Sequence, residues 1–509
     1  MLVYKRKTSW PLVVVHLIGL LALLLSFFSG LRLAQDSLFA LPMPQWLMPQ
    51  GDVYFWHGIG ALLWIFVLIG YAGFALFRNK PLSAVKSRHL IIQLIRVLTP
   101  LAVISGTLLY LSPAWLSYLL LLEGHYYIAL LMMLVVTLHV VVQIQAGLKR
   151  TWPIFLPQRA TLLECLPMLG GVVVIVTCFL FYPAITPKLV SLRTTDNIVI
   201  DGLNNEWDRA EKTTLLVTQG ANQATSVTVT AQSMHDGEVV YFLFQWPDAK
   251  ADLMHLPLVK TAQGWQVEHQ GFEVDDEITF YEDKFALMLS ESARIGGAGS
   301  IHLGPAPING APPSRSGRGY HYMKQGMVDV WQWKSVRLNH MSVLDDDHFG
   351  QPAPPCDFCP RYTAGYQTDP KEAGGYRMNW QWFKQEQVLP LRLPKQAAWQ
   401  RLEQRDQFAI SWWDTQPYSE HLDTYPIGTR LPSVLWMDSF EGDRADVQAK
   451  AHWQDGVWSL EIARNRDTGS KFDLPLVNGL YLWPATFDAS QTRHSYSQQP
   501  WQLVMEQKG

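Results

Sequence analysis

The sequence has few cysteines and no surplus of positive charge. Its 509 residues include 4 cysteines, and its formal net charge at pH 7 is -3. Four cysteines are too few to build a disulfide scaffold in place of a hydrophobic core. A balance this close to neutral provides no basic surface, so no nucleic-acid partner is expected. Charged residues make up only 17% of the chain, which leaves room for long uncharged segments.

Five apolar segments lie within the first 187 residues. A membrane-spanning helix needs about 20 mainly apolar residues. The segments that meet this requirement are Pro11–Leu33, Val53–Phe77, Leu90–Leu111, Tyr118–Ala146 and Leu162–Tyr182. The first segment follows three basic residues, so it could alternatively be a cleaved signal peptide. Its length and the four later segments favour a membrane span. Residues 1–187 are therefore predicted to form a transmembrane bundle of about five α-helices.

Basic residues occur only in alternate connections between these segments. Residues 34–52 and 112–124 contain neither lysine nor arginine. Because basic loops stay in the cytoplasm, the amino terminus is predicted to be cytoplasmic and everything after the fifth span periplasmic, in a multi-pass protein of the inner membrane. The residues that carry this prediction are Lys5, Arg6, Lys7, Arg78, Lys80, Lys86, Arg88, Lys149, Arg150 and Arg159.

Four histidines, His16, His57, His125 and His139, lie within the apolar segments or at their edges. His125 and His139 share one helix, where their spacing corresponds to about 21 Å along the axis and to nearly the same face. The predicted orientation places His57 with His125 at the outer level and His16 with His139 at the inner level. A lone histidine at such depth more often forms a hydrogen bond to a neighbouring helix. Two pairs at two depths instead predict two b-type haems, each iron held between two imidazoles.

This pattern resembles a known family. The segment Trp10-Pro-Leu-Val-Val-Val-His16, the motif His57-Gly-Ile-Gly60 and the His125/His139 spacing resemble bacterial di-haem cytochromes b, such as the gamma subunits of formate dehydrogenase and nickel hydrogenase. The resemblance implies that His57 with His125 and His16 with His139 are axial pairs. It also implies electron exchange with quinone or quinol in the lipid bilayer.

Residues 188–509 have a different pattern, in which short alternating strands are separated by turns. Examples of such turns are Asp236-Gly237 and Asp455-Gly456. This pattern predicts an all-β sandwich domain outside the cytoplasm. The acidic run Asp345-Asp-Asp347 is expected to lie in a solvated loop. Proline at position 360 excludes covalent haem attachment at Cys356-Asp-Phe-Cys359, so a local disulfide is expected there.

Five phrases of this region carry a second resemblance. They are Ile200-Asp-Gly-Leu-Asn-Asn-Glu-Trp207, Tyr241-Phe-Leu-Phe-Gln-Trp246, Asp283-Lys-Phe-Ala-Leu287, Val328-Asp-Val-Trp-Gln-Trp-Lys334 and Trp458-Ser-Leu-Glu-Ile-Ala-Arg464. These phrases resemble the haem-binding subunit family of ethylbenzene dehydrogenase and dimethyl sulfide dehydrogenase, whose known members hold one b-type haem through methionine and lysine. Met323 and His321 both fall where the family methionine is expected, whereas His494 stands where the family has lysine. The resemblance therefore implies a third haem, with His494 opposite Met323 or His321 and with His302 as a further candidate.

Together these features predict a membrane-bound respiratory cytochrome b that transfers electrons between the quinone pool and a periplasmic redox protein or oxidoreductase subunit. No catalytic constellation stands out, so an electron-transfer subunit is expected rather than a stand-alone enzyme. Two alternatives remain open. One is a membrane-anchored β-sandwich that serves as a binding or sensory module without an outer haem. The other is a self-sufficient reductase, which requires a catalytic centre that the sequence does not reveal.

Overall fold

The chain divides into two compact units, Met1–Ile185 and Thr186–Gly509. A computed structural model provides the coordinates of the protein. The residues that it describes are 10–34, 41, 53–77, 86–111, 116–145, 162–181, 186–222, 226–293, 301–302, 307–315, 319–356, 361–384, 387–402, 408–497 and 499–507.

The first unit consists of helices, as the apolar segments predict. Among the described residues they are α1 (Trp10–Leu33), α2 (Val53–Phe77), α3 (Lys86–Leu111), α4 (Tyr118–Gln145) and α5 (Leu162–Phe181). Four of them contain stretches long and apolar enough to cross a membrane, and α5 contributes the shorter apolar stretch Cys165–Thr177. The chain is therefore a multi-pass membrane protein, and this part of the predicted fold class is confirmed.

Glycines allow the helices of this unit to approach closely. A Cβ atom added at Gly70 of α2 would lie 2.8 Å from the side chain of Val15, and one at Gly171 of α5 would lie 2.7 Å from Phe66. Small residues are favoured at such contacts because helices in lipid associate through close van der Waals packing.

The described basic side chains do not test the predicted orientation. Lys5, Arg6, Lys7, Arg78, Lys80, Lys149, Arg150 and Arg159 lie outside the described residues, and so do the side chains of Lys86 and Arg88.

The second unit is a β domain, which confirms the other part of the predicted fold class. One short helix, α6 (Gln396–Leu402), interrupts its strands. The strands among the described residues are β1 (Lys188–Arg193), β2 (Thr213–Val217), β3 (Val227–His235), β4 (Val239–Pro247), β5 (Leu258–Thr261), β6 (Gly264–Val267), β7 (Lys284–Ser290), β8 (Ile301–His302), β9 (Tyr320–His321), β10 (Val328–Lys334), β11 (Asp345–Phe349), β12 (Tyr366–Thr368), β13 (Ala373–Met378), β14 (Trp380–Lys384), β15 (Gln387–Pro390), β16 (Arg392–Pro394), β17 (Ile410–Ser411), β18 (Thr415–Pro417), β19 (Arg430–Leu431), β20 (Val434–Glu441), β21 (Val447–Gln454), β22 (Val457–Asn465), β23 (Tyr481–Phe487) and β24 (Trp501–Met505).

Twelve strands form one large sheet that curls into a half-barrel. Its order is β12-β11-β10-β7-β23-β24-β1-β3-β4-β22-β21, with β2 paired to β3. The curl brings strands from opposite ends of this order, such as β10 and β4, face to face. Phe242 of β4 meets Trp331 of β10 with ring centroids 6.0 Å apart, although several strands separate them in the sheet. Aromatic side chains of this kind bury large apolar areas and dominate the energetics of a core.

The acidic run Asp345–Asp347 is not a solvated loop, so this expectation is wrong. It belongs to strand β11 and all three side chains are buried. Asp345 forms ion pairs with Lys334 and Arg444, and Asp347 accepts a hydrogen bond from the Tyr366 hydroxyl at 2.8 Å. The sequence pattern alone does not reveal these partners, because Lys334 and Tyr366 lie on the neighbouring strands β10 and β12 and Arg444 lies 99 residues after Asp345.

Two of the family phrases meet at a buried carboxylate. Glu461 of β22 accepts hydrogen bonds from Trp207 Nε1 at 2.7 Å, from Asp201 N at 2.9 Å and from Gly202 N at 2.8 Å. Burial raises the pKa of Glu461 to about 7. These hydrogen bonds join the loop before β2 to the sheet.

Candidate functional site

His57 of α2 and His125 of α4 meet inside the helical unit. Their ring centroids lie 6.2 Å apart, with an interplanar angle of 87°. The Nδ1 atom of each ring pairs with a serine hydroxyl from a neighbouring helix. Ser29 Oγ lies 2.9 Å from Nδ1 of His57, and Ser105 Oγ lies 2.8 Å from Nδ1 of His125. Both rings are thus oriented through Nδ1, and Nε2 is the nitrogen that remains to bind a metal.

Glycines make room for both rings. A Cβ atom at Gly30 would lie 3.2 Å from Cε1 of His57, and one at Gly106 would lie 3.1 Å from Cε1 of His125. Each glycine directly follows, in sequence, the serine that pairs with the same histidine. The Ser-Gly dipeptides 29–30 and 105–106 therefore position this pair, and the sequence interpretation did not identify this role.

The other two membrane histidines are His16 of α1 and His139 of α4. His139 lies close enough to His16 for the two side chains to interact electrostatically. Nδ1 of His16 lies 2.5 Å from the hydroxyl of Tyr71, and the two ring centroids lie 5.6 Å apart. Tyr71 is a further residue that the sequence did not single out.

In the β domain, the structure brings His321 of β9 to His494. Their ring centroids lie 6.1 Å apart, with an interplanar angle of 31°. Nδ1 of His494 lies 3.0 Å from the carbonyl oxygen of Ser495, and burial lowers the pKa of His494. His321 stacks on Phe349 with centroids 4.7 Å apart. These two histidines come from segments more than 170 residues apart in the chain.

Met323 lies near the same aromatic residue as His321. Its side chain packs against an apolar cluster that includes Met288, Trp483 and Phe349, on which His321 stacks. His302 pairs with Tyr320 through the β8–β9 ladder, and its side chain lies outside the described residues. Of the two alternatives for the position opposite His494, His321 has a ring contact with His494.

A cavity of about 430 Å³ adjoins the segment that carries His321. Its lining includes Tyr320, Arg315 and Arg361, and Arg361 forms an ion pair with Asp275 at 3.3 Å. The backbone oxygen of Asp275 accepts a hydrogen bond from Thr492, which lies two residues before His494. The cavity is therefore lined by Tyr320, the sequence neighbour of His321, and by two arginine side chains.

A buried lysine lies beside the same histidine pair. Lys284 Nζ donates to the carbonyl oxygen of Gln491 at 2.8 Å and lies 3.9 Å from the ring centroid of Phe487. Burial lowers the pKa of Lys284 well below its ordinary value, and the lysine also interacts electrostatically with His494. The sequence offered a signal for it, because Lys284 lies in the phrase Asp283-Lys-Phe-Ala-Leu287.

Cys356 also lines the cavity and is disulfide-bonded. This agrees with the expected disulfide, although the predicted partner Cys359 lies outside the described residues.

The family model described as ethylbenzene dehydrogenase matches residues 182–499. This chain belongs to the ethylbenzene dehydrogenase family. The resemblance of the β domain to the ethylbenzene dehydrogenase family is thereby confirmed. No cytochrome b family model matches the preceding helices. The chain is thus a membrane-anchored member of the family. No curated protein matches this chain.

Solved structures with some likeness to this family member are carbohydrate-binding proteins. A putative carbohydrate-binding protein from Bacteroides uniformis has 7% sequence identity and a TM-score of 0.26, and the match covers 63% of this chain and 100% of that one. A family 9 carbohydrate binding module from Caldicellulosiruptor kristjanssonii, in complex with glucose, has 8% identity and a TM-score of 0.25, with coverages of 63% and 97%. Likeness at these scores carries no argument about what this chain binds.

Proposed function

We propose that this chain is a membrane-bound electron-transfer cytochrome b that passes electrons between the quinone pool and a periplasmic redox partner. The observation that carries the proposal is the repeated histidine spacing. Ring centroids lie 6.2 Å apart for His57/His125 and 6.1 Å apart for His321/His494. Ring centres roughly 6 Å apart leave space for one metal ion about 2.0 to 2.1 Å from a nitrogen of each ring, so each of these pairs would be able to hold a haem iron.

In this proposal His57 with His125 and His16 with His139 hold two b-type haems in the membrane unit, and His494 with His321 holds a third in the β domain. Bound haem supplies reversible one-electron chemistry at the iron. The chain contributes ligand orientation, since Ser29, Ser105 and the Ser495 carbonyl fix the Nδ1 side of their histidines. Such outer contacts raise the basicity of the ligand and tune the redox potential.

The cavity lined by Tyr320, which precedes His321 in the sequence, supports the third site. Haem carries two propionate groups, and guanidinium groups are well suited to bind carboxylates. Arg315 and Arg361 line this cavity and provide two such groups. The family to which the chain belongs also supports haem binding in this domain.

We propose no catalytic residue, and the chain acts as the electron-transfer subunit of an oxidoreductase. Its partners in this proposal are the lipid bilayer, quinone or quinol, and a periplasmic redox protein. The alternative, a binding or sensory module without an outer haem, is an outcome of the test below.

The purified full-length chain is expected to contain haem that is not covalently attached and to be reduced by a quinol analogue. Haem per chain is measured by the pyridine haemochrome assay, and reduction is measured by redox difference spectroscopy. About three haems per chain are expected if each histidine pair binds one iron. A chain with haem only in the membrane unit would support the binding-module alternative, and a chain without haem would refute the proposal.

The carboxyl terminus is expected to lie in the periplasm. Five spans and basic residues confined to alternate connections place it opposite a cytoplasmic amino terminus. Alkaline phosphatase fused after Gly509 should therefore be active in a Gram-negative host, whereas a fluorescent protein that matures only in the cytoplasm should stay dark. The reverse result would mean that the number of spans is even.

A further inference from the structure

Four buried aspartates of the β domain meet at one place. Asp329 lies on β10, Asp346 lies on β11, Asp369 directly follows β12, and Asp473 lies in the loop between β22 and β23. One carboxylate oxygen from each of Asp329, Asp346 and Asp473 lies within 4.8 Å of the other two. The backbone N–H of Asp369 donates to the carbonyl oxygen of Asp346 at 3.0 Å, which fixes the fourth residue beside them.

Asp346 provides a second, independent observation. Its side chain is 0% exposed, and neither of its carboxylate oxygens has a hydrogen-bond partner among the described residues. A buried carboxylate without any partner costs several kcal/mol unless another charge compensates it. Its oxygen is directed toward Asp329 and Asp473, so the compensating group is expected at the centre of this cluster.

In each of the other three aspartates, one carboxylate oxygen accepts a hydrogen bond from another residue and the second oxygen has no partner among the described residues. The free atoms are Oδ1 of Asp329, Oδ1 of Asp473 and Oδ2 of Asp369, all of them buried and without a hydrogen-bond partner among the described residues. The satisfied oxygens accept from Arg464 Nη1 (to Asp329 Oδ2, 2.7 Å), from Thr468 Oγ1 (to Asp473 Oδ2, 2.5 Å) and from His348 Nδ1 (to Asp369 Oδ1, 2.6 Å).

The charges of this cluster do not balance. Among the described residues, Arg464 is the arginine paired with this cluster, 2.7 Å from Asp329 and 4.0 Å from Asp473, and His348 pairs with Asp369, whereas Asp346 has no cationic partner. Burial and the neighbouring carboxylates raise the pKa of Asp346 well above its ordinary value and the pKa of Asp473 to about 7. A cation between the free oxygens would compensate the negative charges and so remove the cause of these two raised pKa values.

We propose that Asp329, Asp346 and Asp473, flanked by Asp369, form a Ca²⁺ site that is separate from the histidine pairs. Ca²⁺ prefers oxygen ligands at about 2.3 to 2.6 Å, so two oxygens bound to one ion lie at most about 4.6 to 5.2 Å apart. Carboxylate oxygens within 4.8 Å of one another can therefore bind one ion of this size. Mg²⁺ fits less well because it is smaller and keeps several waters, and Zn²⁺ prefers nitrogen and sulfur ligands.

The site joins a loop to two strands of the large sheet. Asp329 and Asp346 belong to the adjacent strands β10 and β11, whereas Asp473 lies in the loop between β22 and β23. A cation held between them ties that loop to the sheet. Because such an ion binds the folded state and not the unfolded chain, it raises the thermal stability of the β domain in a concentration-dependent way.

The test uses the full-length chain in detergent, with bound metal first removed by a chelator and the chelator then removed by dialysis. Ca²⁺ binding is measured by equilibrium dialysis with metal analysis, and thermal unfolding is followed by tryptophan fluorescence. We expect one Ca²⁺ per chain, a higher unfolding midpoint with Ca²⁺, and no comparable effect of Mg²⁺ at the same concentration.

Asp346→Asn removes one charge with little change of shape and should abolish this binding and the thermal shift. Asp473→Asn, on the loop, gives the same test if the first variant fails to fold. Asp248→Asn is the matched control. It lies in another acidic group, in which both oxygens of Asp283 already accept backbone N–H groups, and should bind Ca²⁺ like the unmodified chain.

An unmodified chain that binds no Ca²⁺, or binding that survives both Asp346→Asn and Asp473→Asn, would overturn the proposal. The haem content of the same samples is measured in parallel. Because the site shares no residue with the histidine pairs, haem content is expected to stay the same with and without Ca²⁺.

Discussion

Replacing His125 with alanine is expected to remove the haem proposed between His57 and His125, or to leave that haem bound by His57 alone. The two rings lie 6.2 Å apart, and the loss of one imidazole leaves the iron without its second axial ligand. Haem per full-length chain should fall by about one, or one haem should change to a high-spin spectrum. The pyridine haemochrome assay and the absorption spectrum measure these two results.

His421→Ala is the matched control, because this histidine is exposed in the β domain and should leave haem content unchanged. Ser105→Ala provides a finer test. It removes the partner of Nδ1 of His125 without removing the ligand, so the haem should stay and its midpoint potential should rise. Unchanged low-spin haem in the His125 variant would contradict the assignment.

Replacing His494 with alanine is expected to remove the haem of the β domain and to leave the membrane haems in place. Haem per chain should fall by about one, and quinol-dependent reduction of the remaining haem should persist. His321→Ala should give the same loss, because the two rings form one pair 6.1 Å apart. Met323→Ala should retain the haem, since Met323 packs in the apolar cluster of Met288 and Trp483.

The matched control is His452→Ala, an exposed histidine on β21. If Met323→Ala removes the haem and His321→Ala does not, methionine is the ligand. Two histidine ligands should also give a lower potential than a histidine–methionine pair, because thioether sulfur stabilises ferrous iron. No change of haem content or spectrum with His494→Ala would exclude His494 as a ligand.

Much of the first unit could be predicted from sequence because its signal is local. Each helix that crosses a bilayer needs a continuous apolar segment, and the segments from Pro11, Val53 and Tyr118 begin within one residue of the observed helices. The third helix begins at Lys86 rather than at Leu90, because a charged first turn can extend beyond the apolar part. The spacing of His125 and His139 on one helix was likewise readable from periodicity alone.

The β domain was harder to predict because its contacts join distant residues. Family phrases located His321 and His494, but only the fold places their rings side by side and sends Met323 into an apolar cluster. Asp345–Asp347 looked like a solvated loop because a run of like charges is costly to bury. It is buried because Lys334, Arg444 and Tyr366 reach it from other segments.

The sequence by itself determined that an apolar helical region precedes an all-β region, since composition and periodicity decide those choices within short windows. It also predicts histidine pairs at two depths of the membrane. Only the tertiary structure decided which side chains meet. The β22–β23 loop places Asp473 beside Asp329 and Asp346, and neighbouring helices bring Ser29 and Ser105 to their histidines. The physical reason is that these contacts depend on long-range strand pairing and helix packing, which no local pattern encodes.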